Sequence, residues 1–257
     1  MTELPLVSTN CIIQEDAMSE YADNTLNEAG PAPDRKATLG SALRRRILTM
    51  QLAPGSVLDE VALSEEFGLS RPPVRELMRQ MAGEGYIELE PNRPARVTSL
   101  SYEALREYFL FAPMVYIAAA KLAAENRTQA ELEELKRTQR HFRTAIDNLD
   151  VEGRVFFNDQ FHHQIGEMAH NAYLLPSLRR CLIDHARIGK IFYQHPNSQK
   201  MQRDLEIAAD QHDAIIDALE RRDAAEAAEI TLAHIDLSRR NMAMYATPEG
   251  LDVPFGT

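Results

Sequence analysis

The stretch SRPPVRELMRQMAGEGYIELEPNRPARV, Ser70 to Val97, organises the chain. Ser70 offers an N-cap hydroxyl for an orphan helix N–H, and Pro72 and Pro73 suit the first turn. Arg71, Arg75 and Arg79 then recur every fourth residue, lining three guanidinium groups along one side of a helix. Val74, Leu77, Met78 and Met81 hold the adjacent face at helical spacing, which predicts that this face is buried. Gly83 and Gly85 are expected to end the helix. Ile87 and Leu89 alternate with Glu88 and Glu90, the period of a strand, and Pro91-Asn92-Arg93-Pro94 has turn chemistry. Ala95 to Thr98 can return as a second strand.

A short helix set on a core, with arginines along its open flank and a hairpin tipped by Arg93 behind it, describes a winged helix-turn-helix. Such a helix fits the DNA major groove, where arginine makes bidentate bonds to guanine edges, while the wing reaches backbone or minor groove. The plainer alternative is an amphipathic helix whose arginines are solvated or paired with Glu76 and Glu84.

The upstream residues favour the first reading. Leu39, Leu43 and Ile47 give a first buried helix face, Pro54-Gly55 a turn, and Val61 to Phe67 a second helix capped by Gly68. Leu69 then plugs the turn into the recognition helix. With LAPGSVLDE (52–60), LSEEFGLSRPPVREL (63–77) and EGYIE (84–88), the segment Leu39–Val97 resembles the DNA-binding domain of GntR-type bacterial transcription regulators. Three positions depart from that pattern: Pro72 replaces a usual phosphate-binding threonine, Val61 a frequent arginine, and Pro94 a wing glycine. The candidate DNA contacts are Ser70, Arg71, Arg75 and Arg79 on the helix and Arg93 and Arg96 on the wing. Arg45 is a further candidate, from an Arg44–Arg46 run that can meet phosphate or stay solvated.

The whole-chain charge of −11 argues against a non-specific nucleic-acid coat. Residues 36–100 nevertheless carry nine basic side chains against eight acidic ones, a locally basic head on an acidic body. Cys11 and Cys181 form no metal- or redox-type spacing, so a reducing cytoplasm is expected. No signal-peptide pattern is apparent, and no apolar run is expected to approach bilayer-spanning length. The chain of 257 residues therefore divides into an acidic, mobile extension (1–35), the head (36–100), a helical domain (101–246) and a loose tail (247–257).

From Ser101, a helix-capping residue, to about Tyr245 the apolar residues keep helical period. Breaks at Asn126, Leu149–Gly153, Asn171, around Pro196 and at Arg221–Asp223 imply about six helices, most economically an antiparallel bundle. The expected fold is thus mainly α. Three histidines fall on expected inward stripes: His162 with Asn158, Phe161, Ile165 and Ala169; His212 with Ala208, Ile215, Ile216 and Leu219; His234 with Ile230, Ala233 and Leu237. Asp159, His163, Glu167 and His170 form a neighbouring polar stripe, expected to be solvated. Singly, each inward histidine is an ordinary hydrogen-bonded core residue. Together, imidazoles from three helices can converge on one divalent cation.

Residues 101–245 also resemble the FCD effector domain of the FadR-type branch of GntR regulators, through N-x-x-F-H at 158–162, Asn171, His212 in QHDAIIDAL and His234. That resemblance implies a divalent metal (zinc, nickel or manganese) on Asn158, His162, His212 and His234, completed by a small carboxylate effector. Asn158 stands where aspartate is commoner, a poorer cation ligand. Relatives carry Glu-x-Arg-x-x-Leu-Glu on the first bundle helix, whereas this chain has Leu110 to Tyr116, with Ala112 in place of the arginine and Pro113 expected to kink the helix. Ala112, Tyr116 and His185 are the candidate effector contacts. Loss of the polar residues predicts a less polar wall, with Phe111, Met114 and Val115 disfavouring a dicarboxylate. The resemblance implies a dimeric regulator on operator DNA, a repressor by family habit and with no membrane partner. A three-histidine hydrolase and a metal-free acyl-CoA-type sensor are the alternatives.

Overall fold

The computed structural model describes residues 34–193 and 199–246. The expected extension up to residue 33, the break near Pro196 and the tail from residue 247 lie outside the described residues. Arg35, placed in that extension by sequence, instead opens the first helix and donates to the Gly68 carbonyl at 3.0 Å.

The head comprises α1 (Arg35–Leu48), α2 (Glu60–Phe67), α3 (Arg71–Glu84), β1 (Ile87–Glu88) and β2 (Arg96–Val97). Its apolar stripes meet as their spacing predicts: Leu39, Leu43 and Ile47 of α1 close one core with Leu63, Val74, Leu77, Met78, Met81, Ile87 and Val97. The Asp59 carboxylate accepts from the N–H groups of Val61 and Ala62, so α2 starts at Glu60. Gly68 ends α2 at φ 60°, a left-handed conformation that costs other residues about 1–2 kcal/mol. α3 runs through Gly83 and stops only at Gly85, φ 91°. A Cβ there would also lie 2.4 Å from Arg180 Cδ, so glycine is required both for backbone angle and for room.

β1 and β2 pair antiparallel, Ile87 opposite Val97 and Glu88 opposite Arg96. The wing has a third arm that the sequence reading treated only as a turn. After Pro54-Gly55 the chain runs alongside β2, Val57 bridges Arg96, and the Leu58 N–H donates to the Ala95 carbonyl at 2.9 Å.

Six helices follow among the described residues: α4 (Tyr102–Asn126), α5 (Gln129–Asp147), α6 (Val151–Met168), α7 (Leu174–Tyr193), α8 (Gln199–Glu220) and α9 (Ala224–Ala246). Each described break has a local cause. Ser101 caps α4, Thr128 and Glu131 form a capping box on α5, Asp150 caps α6, and Asn171 accepts from the Tyr173 and Leu174 N–H groups ahead of α7. Leu149 and Arg222 turn the chain with φ 57°.

α4 is the central helix, packed on α6, α7, α8 and α9. Ala119, Ala120, Ala123 and Ala124 are buried along it and permit close approach. By length and composition α4 is apolar enough to cross a bilayer, contrary to expectation. Here it is a bundle helix, with one face in the core and Leu110 and Met114 on the other, 63% and 62% exposed. It continues through Pro113.

Guanidinium groups secure the helix ends, those of Arg127 and Arg154 buried and that of Arg222 exposed. Arg127 Nε donates to the Leu219 carbonyl at 2.8 Å and its Nη2 to Glu220 at 2.7 Å, the last turn of α8, where unpaired carbonyls carry the negative end of the helix dipole. Arg222 does the same for α4 through the Glu125 carbonyl (2.6 Å), and Arg154 for α5 through Ala145 and Ile146. α1 and α3 pack against α7, Leu48 enters the cluster around Phe142 and Ala186, and Arg45 pairs with Glu152 at 2.9 Å. Arg127→Ala is expected to lower the unfolding free energy by about 2–3 kcal/mol, because two charged hydrogen bonds vanish and buried carbonyls are left unpaired. Urea denaturation measures this; an unchanged midpoint would show that these caps contribute nothing.

Candidate functional site

The first candidate site is the outer flank of α3. Ser70 has N-cap backbone angles (φ −75°, ψ 161°) without a side-chain capping bond, so its hydroxyl is not consumed by the helix. Arg71, Arg75 and Arg79 lie exposed at successive turns, as four-residue spacing requires. Glu60 on α2 holds two of them: Arg71 Nη2 donates to it at 3.2 Å and Arg75 Nε at 2.9 Å. The partners named by the plainer reading are engaged elsewhere, Glu76 by Lys36 at 2.9 Å and Glu84 by Arg44 at 2.9 Å. Exposed pairs of this kind contribute about 0–1 kcal/mol, so Glu60 orients the arginines without locking them. Arg93 stands at the wing tip paired with Glu90, and Arg96 donates to the Gly55 carbonyl at 2.9 Å.

Arg45 departs from this face. Its bond to Glu152 in the first turn of α6 directs it to the bundle. The other two arginines of the run are also engaged, Arg44 with Glu84 and Arg46 with Glu66, rather than merely solvated.

The second candidate site is inside the bundle. His162 from α6, His212 from α8 and His234 from α9 are all buried, and each offers a ring nitrogen within 4.8 Å of the others. Ring centroids are separated by 5.1 Å (162–212), 5.2 Å (162–234) and 4.7 Å (212–234). His212 Nδ1 meets Gln139 Oε1 at 3.1 Å and His234 Nδ1 meets Gln211 Oε1 at 3.1 Å. An amide oxygen only accepts, so each Nδ1 carries the proton and each Nε2 keeps its lone pair. Nε2 of His162 and of His212 are buried without a hydrogen-bond partner. Burial, followed by the neighbouring imidazoles, holds His162 and His212 well below the usual histidine pKa, and burial holds His234 at about 3. All three are therefore neutral near pH 7. Neutral imidazoles so gathered, with Nε2 unpartnered on His162 and His212, fit a divalent cation; as ordinary core histidines they leave buried ring nitrogens unsatisfied.

Asn158 is buried beside the cluster and borders a cavity of about 20 Å³ with His185, His234, Tyr193 and Asn241, room for roughly one water. His185 of α7 is the fourth imidazole here, its ring 4.7 Å from that of His162, with burial lowering its pKa to about 4. Its Nδ1 lies 2.8 Å from the Tyr116 hydroxyl, so these two expected effector contacts touch each other. Ala112 is buried in the core of α4.

Other expectations change. Phe111 and Met114 sit on the outer side of α4, because the inward stripe follows Ala112, Val115, Tyr116 and Ala119; they do not wall this centre. Ala233 is exposed, and Thr231 and Ile235 take the buried positions, since the stripe of α9 is rotated about one residue from the expected phase. Asp159 is half-buried rather than solvated, in a cleft with Arg44, Tyr86 and Arg179, and burial pushes its carboxyl up to about pKa 7. Gln139 and Gln211 were missed, although Gln139 falls in phase with Leu132, Leu135 and Phe142.

Comparison with known proteins agrees with this arrangement. The profile of the gntR family of bacterial regulatory proteins matches residues 35–97, and that of the FCD domain residues 115–237. The HTH-type transcriptional repressor RspR of Escherichia coli (strain K12) is 26% identical over 181 residues, 70% of this chain and 77% of that protein. LutR, an HTH-type transcriptional regulator of Bacillus subtilis (strain 168), is 24% identical over 204 residues, 72% and 90% of the two chains. E. coli McbR/YncC shares the fold at TM-score 0.69 with 20% identity, covering 84% of this chain and 98% of its own. RspR and LutR are transcription regulators by name, not enzymes. With both profiles matched in order along one chain, this protein belongs to the GntR family of transcription regulators, in the branch carrying an FCD domain.

Proposed function

We propose that this regulator is a cytoplasmic, dimeric repressor that binds an operator through α3 and the wing and responds to a small organic acid at a metal-loaded histidine centre. The observation that carries the metal reading is the pair of buried, unpartnered Nε2 atoms on His162 and His212, with Gln139 and Gln211 fixing the tautomers of His212 and His234. A metal-free acyl-CoA-type sensor would leave those ring nitrogens orphaned. His162, His212 and His234 would hold the cation, with Asn158 as a weak fourth ligand, and the metal would supply a Lewis-acidic position for a carboxylate. The adjoining space admits only about one water, so an organic effector must move α7 or α9 to enter. Repression follows the name of the RspR relative. The apolar outer stripe of α4, including Leu110, Phe111 and Met114, supports a second copy as partner. A dimer would then present two α3 helices to a roughly palindromic site.

Arg71→Ala and Arg75→Ala are each expected to lose about 1–3 kcal/mol of specific DNA affinity, with steep weakening by salt. Both sit on an exposed flank, so the folded state should be unaffected. Fluorescence anisotropy on duplexes recovered from random-sequence selection tests this, and unchanged affinity in both variants would remove α3 as the reading helix.

His162→Ala, His212→Ala and His234→Ala should each cut bound metal in protein purified without chelator. Zinc at 100–1,000 times its dissociation constant stabilises the loaded fold by about 3–4 kcal/mol. Elemental analysis and melting curves report both. Metal-free protein whose melting temperature ignores zinc, nickel and manganese would refute the metal site.

Chelated protein should lose stability as pH falls. The buried histidines have folded pKa values depressed to about 4 (His185) and about 3 (His234), below the usual 6.5. Below pH 6.5 the unfolded chain takes up protons that the folded chain refuses. Each such histidine therefore withdraws about 1.4 kcal/mol per pH unit as pH falls from 6.5 towards its folded value. Urea midpoints at pH 7.5, 6 and 5 measure the slope; flat stability would mean the imidazoles are not buried neutral.

A further inference from the structure

Arg187 is fully buried on α7, yet it serves neither the histidine centre nor a helix end. Its Nη1 donates to the Thr98 carbonyl at 2.9 Å and its Nη2 to the Ser99 carbonyl at 3.0 Å. Those residues form the short connection between β2 of the wing and α4 of the bundle. Asp184, one turn earlier on α7, lies 3.3 Å from the same guanidinium and also pairs with Arg180 at 2.9 Å. Arg180 in turn fills the space left by the absent side chain of Gly85, at the exit of α3. Two residues before Arg187, the ring of His185 sits 4.7 Å from that of His162 and bonds to Tyr116. One stretch of a single helix thus touches the histidine cluster at one position and the head at two others.

We infer that Arg187 is a positioning residue that grips the connection between head and bundle, so that displacement of α7 at the histidine centre reaches the DNA-reading head through the Thr98 and Ser99 carbonyls. The chemistry favours this residue for that task. A buried guanidinium is costly unless its donors are used; both Nη groups are used here, and Nε has no hydrogen-bond partner. The planar fork matches two successive carbonyls, so the grip is directional and resists sliding. The connection is also held on its other edge, where the Thr98 N–H donates to the Tyr86 carbonyl at 3.1 Å and the Thr98 hydroxyl to the Gly85 carbonyl at 2.8 Å. Movement imposed on Thr98 is therefore passed to the segment that follows α3. A side chain merely filling core space would need no such donors. Coupling of this kind requires two arrangements of α7, one per ligand state. The small cavity beside His185 and His234, about 20 Å³, supplies the reason for a second one, since a ligand larger than a water cannot be accommodated there without moving a wall.

The inference rests on the reading of the histidine centre as a metal site, and its test separates the two. Full-length wild type, Arg187→Met and Arg187→Lys are compared by amide hydrogen exchange of the 98–101 segment, with and without added zinc, alongside zinc uptake. Wild type should take up zinc and change linker exchange several-fold on doing so. Arg187→Met, matched in length but without donors, should take up zinc equally, exchange faster at the linker and lose the zinc response. Arg187→Lys should restore part of that response, which a simple packing defect would not show. An equal zinc response in Arg187→Met overturns the inference, as does a wild-type linker indifferent to zinc bound at His212. If wild type takes up no zinc, the metal reading fails alone. Linker exchange and affinity for selected operator duplex then decide: several-fold changes in Arg187→Met uphold the grip, and unchanged values remove it. Should Arg187→Met fail to fold, the same comparison is made with Arg187→Lys, which keeps one donor group and is expected to lose part of the zinc response; a full wild-type response in that variant overturns the inference.

Discussion

A guanidinium set against main-chain carbonyls is the interaction that fixes where the irregular segments of this structure lie. Arg127 and Arg222 tie the ends of α8 and α4 to each other's neighbourhood, Arg154 closes α5, and Arg187 holds the connection out of the wing. Arg127, Arg222 and Arg187 join elements distant in sequence, Arg154 joins neighbouring helices, and each occupies carbonyls that a helix end or an irregular segment cannot satisfy internally. Truncating such a residue removes more than a charge, because the carbonyls remain buried. The bundle's apolar core supplies the bulk of the stability. The arginines decide where its irregular segments lie.

The histidine centre is the complementary case, a set of polar atoms that the fold buries and does not fully satisfy. Gln139 and Gln211 point the protons of His212 and His234 away from the centre, which leaves lone pairs converging on it. A protein interior tolerates unpaired polar atoms only at a cost, and here two ring nitrogens are concentrated at one point. That concentration distinguishes this centre from scattered core histidines. The reading head shows a milder version of the same arrangement, with Glu60 keeping two arginines oriented but solvent-accessible.

Most of the architecture was legible in the sequence because it depends on period and punctuation, which are local. Leu39, Leu43 and Ile47, or Val74, Leu77 and Met81, announce their buried faces by spacing alone. Asn126, Leu149–Gly153, Asn171 and Arg221–Asp223 mark breaks through capping and positive-φ chemistry. The errors occurred where a local rule left two outcomes open. Gly83 is tolerated inside a helix, so only the backbone angle of Gly85 identifies the true end. The arm at Val57 pairs with Arg96, 39 positions away, and no local pattern reveals it. A rotation of one residue in α9 exchanged Ala233 for Thr231 and Ile235.

The sequence by itself determined the fold class, the family, the helix that carries Arg71, Arg75 and Arg79, and the three histidines that point inward. It did so because helical phase commits a side chain to a face before any partner is known. Only tertiary structure decided that Arg45 turns to Glu152, that Phe111 and Met114 lie outside, that Asp159 is sheltered, and that Arg187 reaches Thr98 and Ser99. Each of those outcomes depends on which distant surface lies opposite a given face. That choice belongs to the packing of whole helices and is written in no single stretch of the chain.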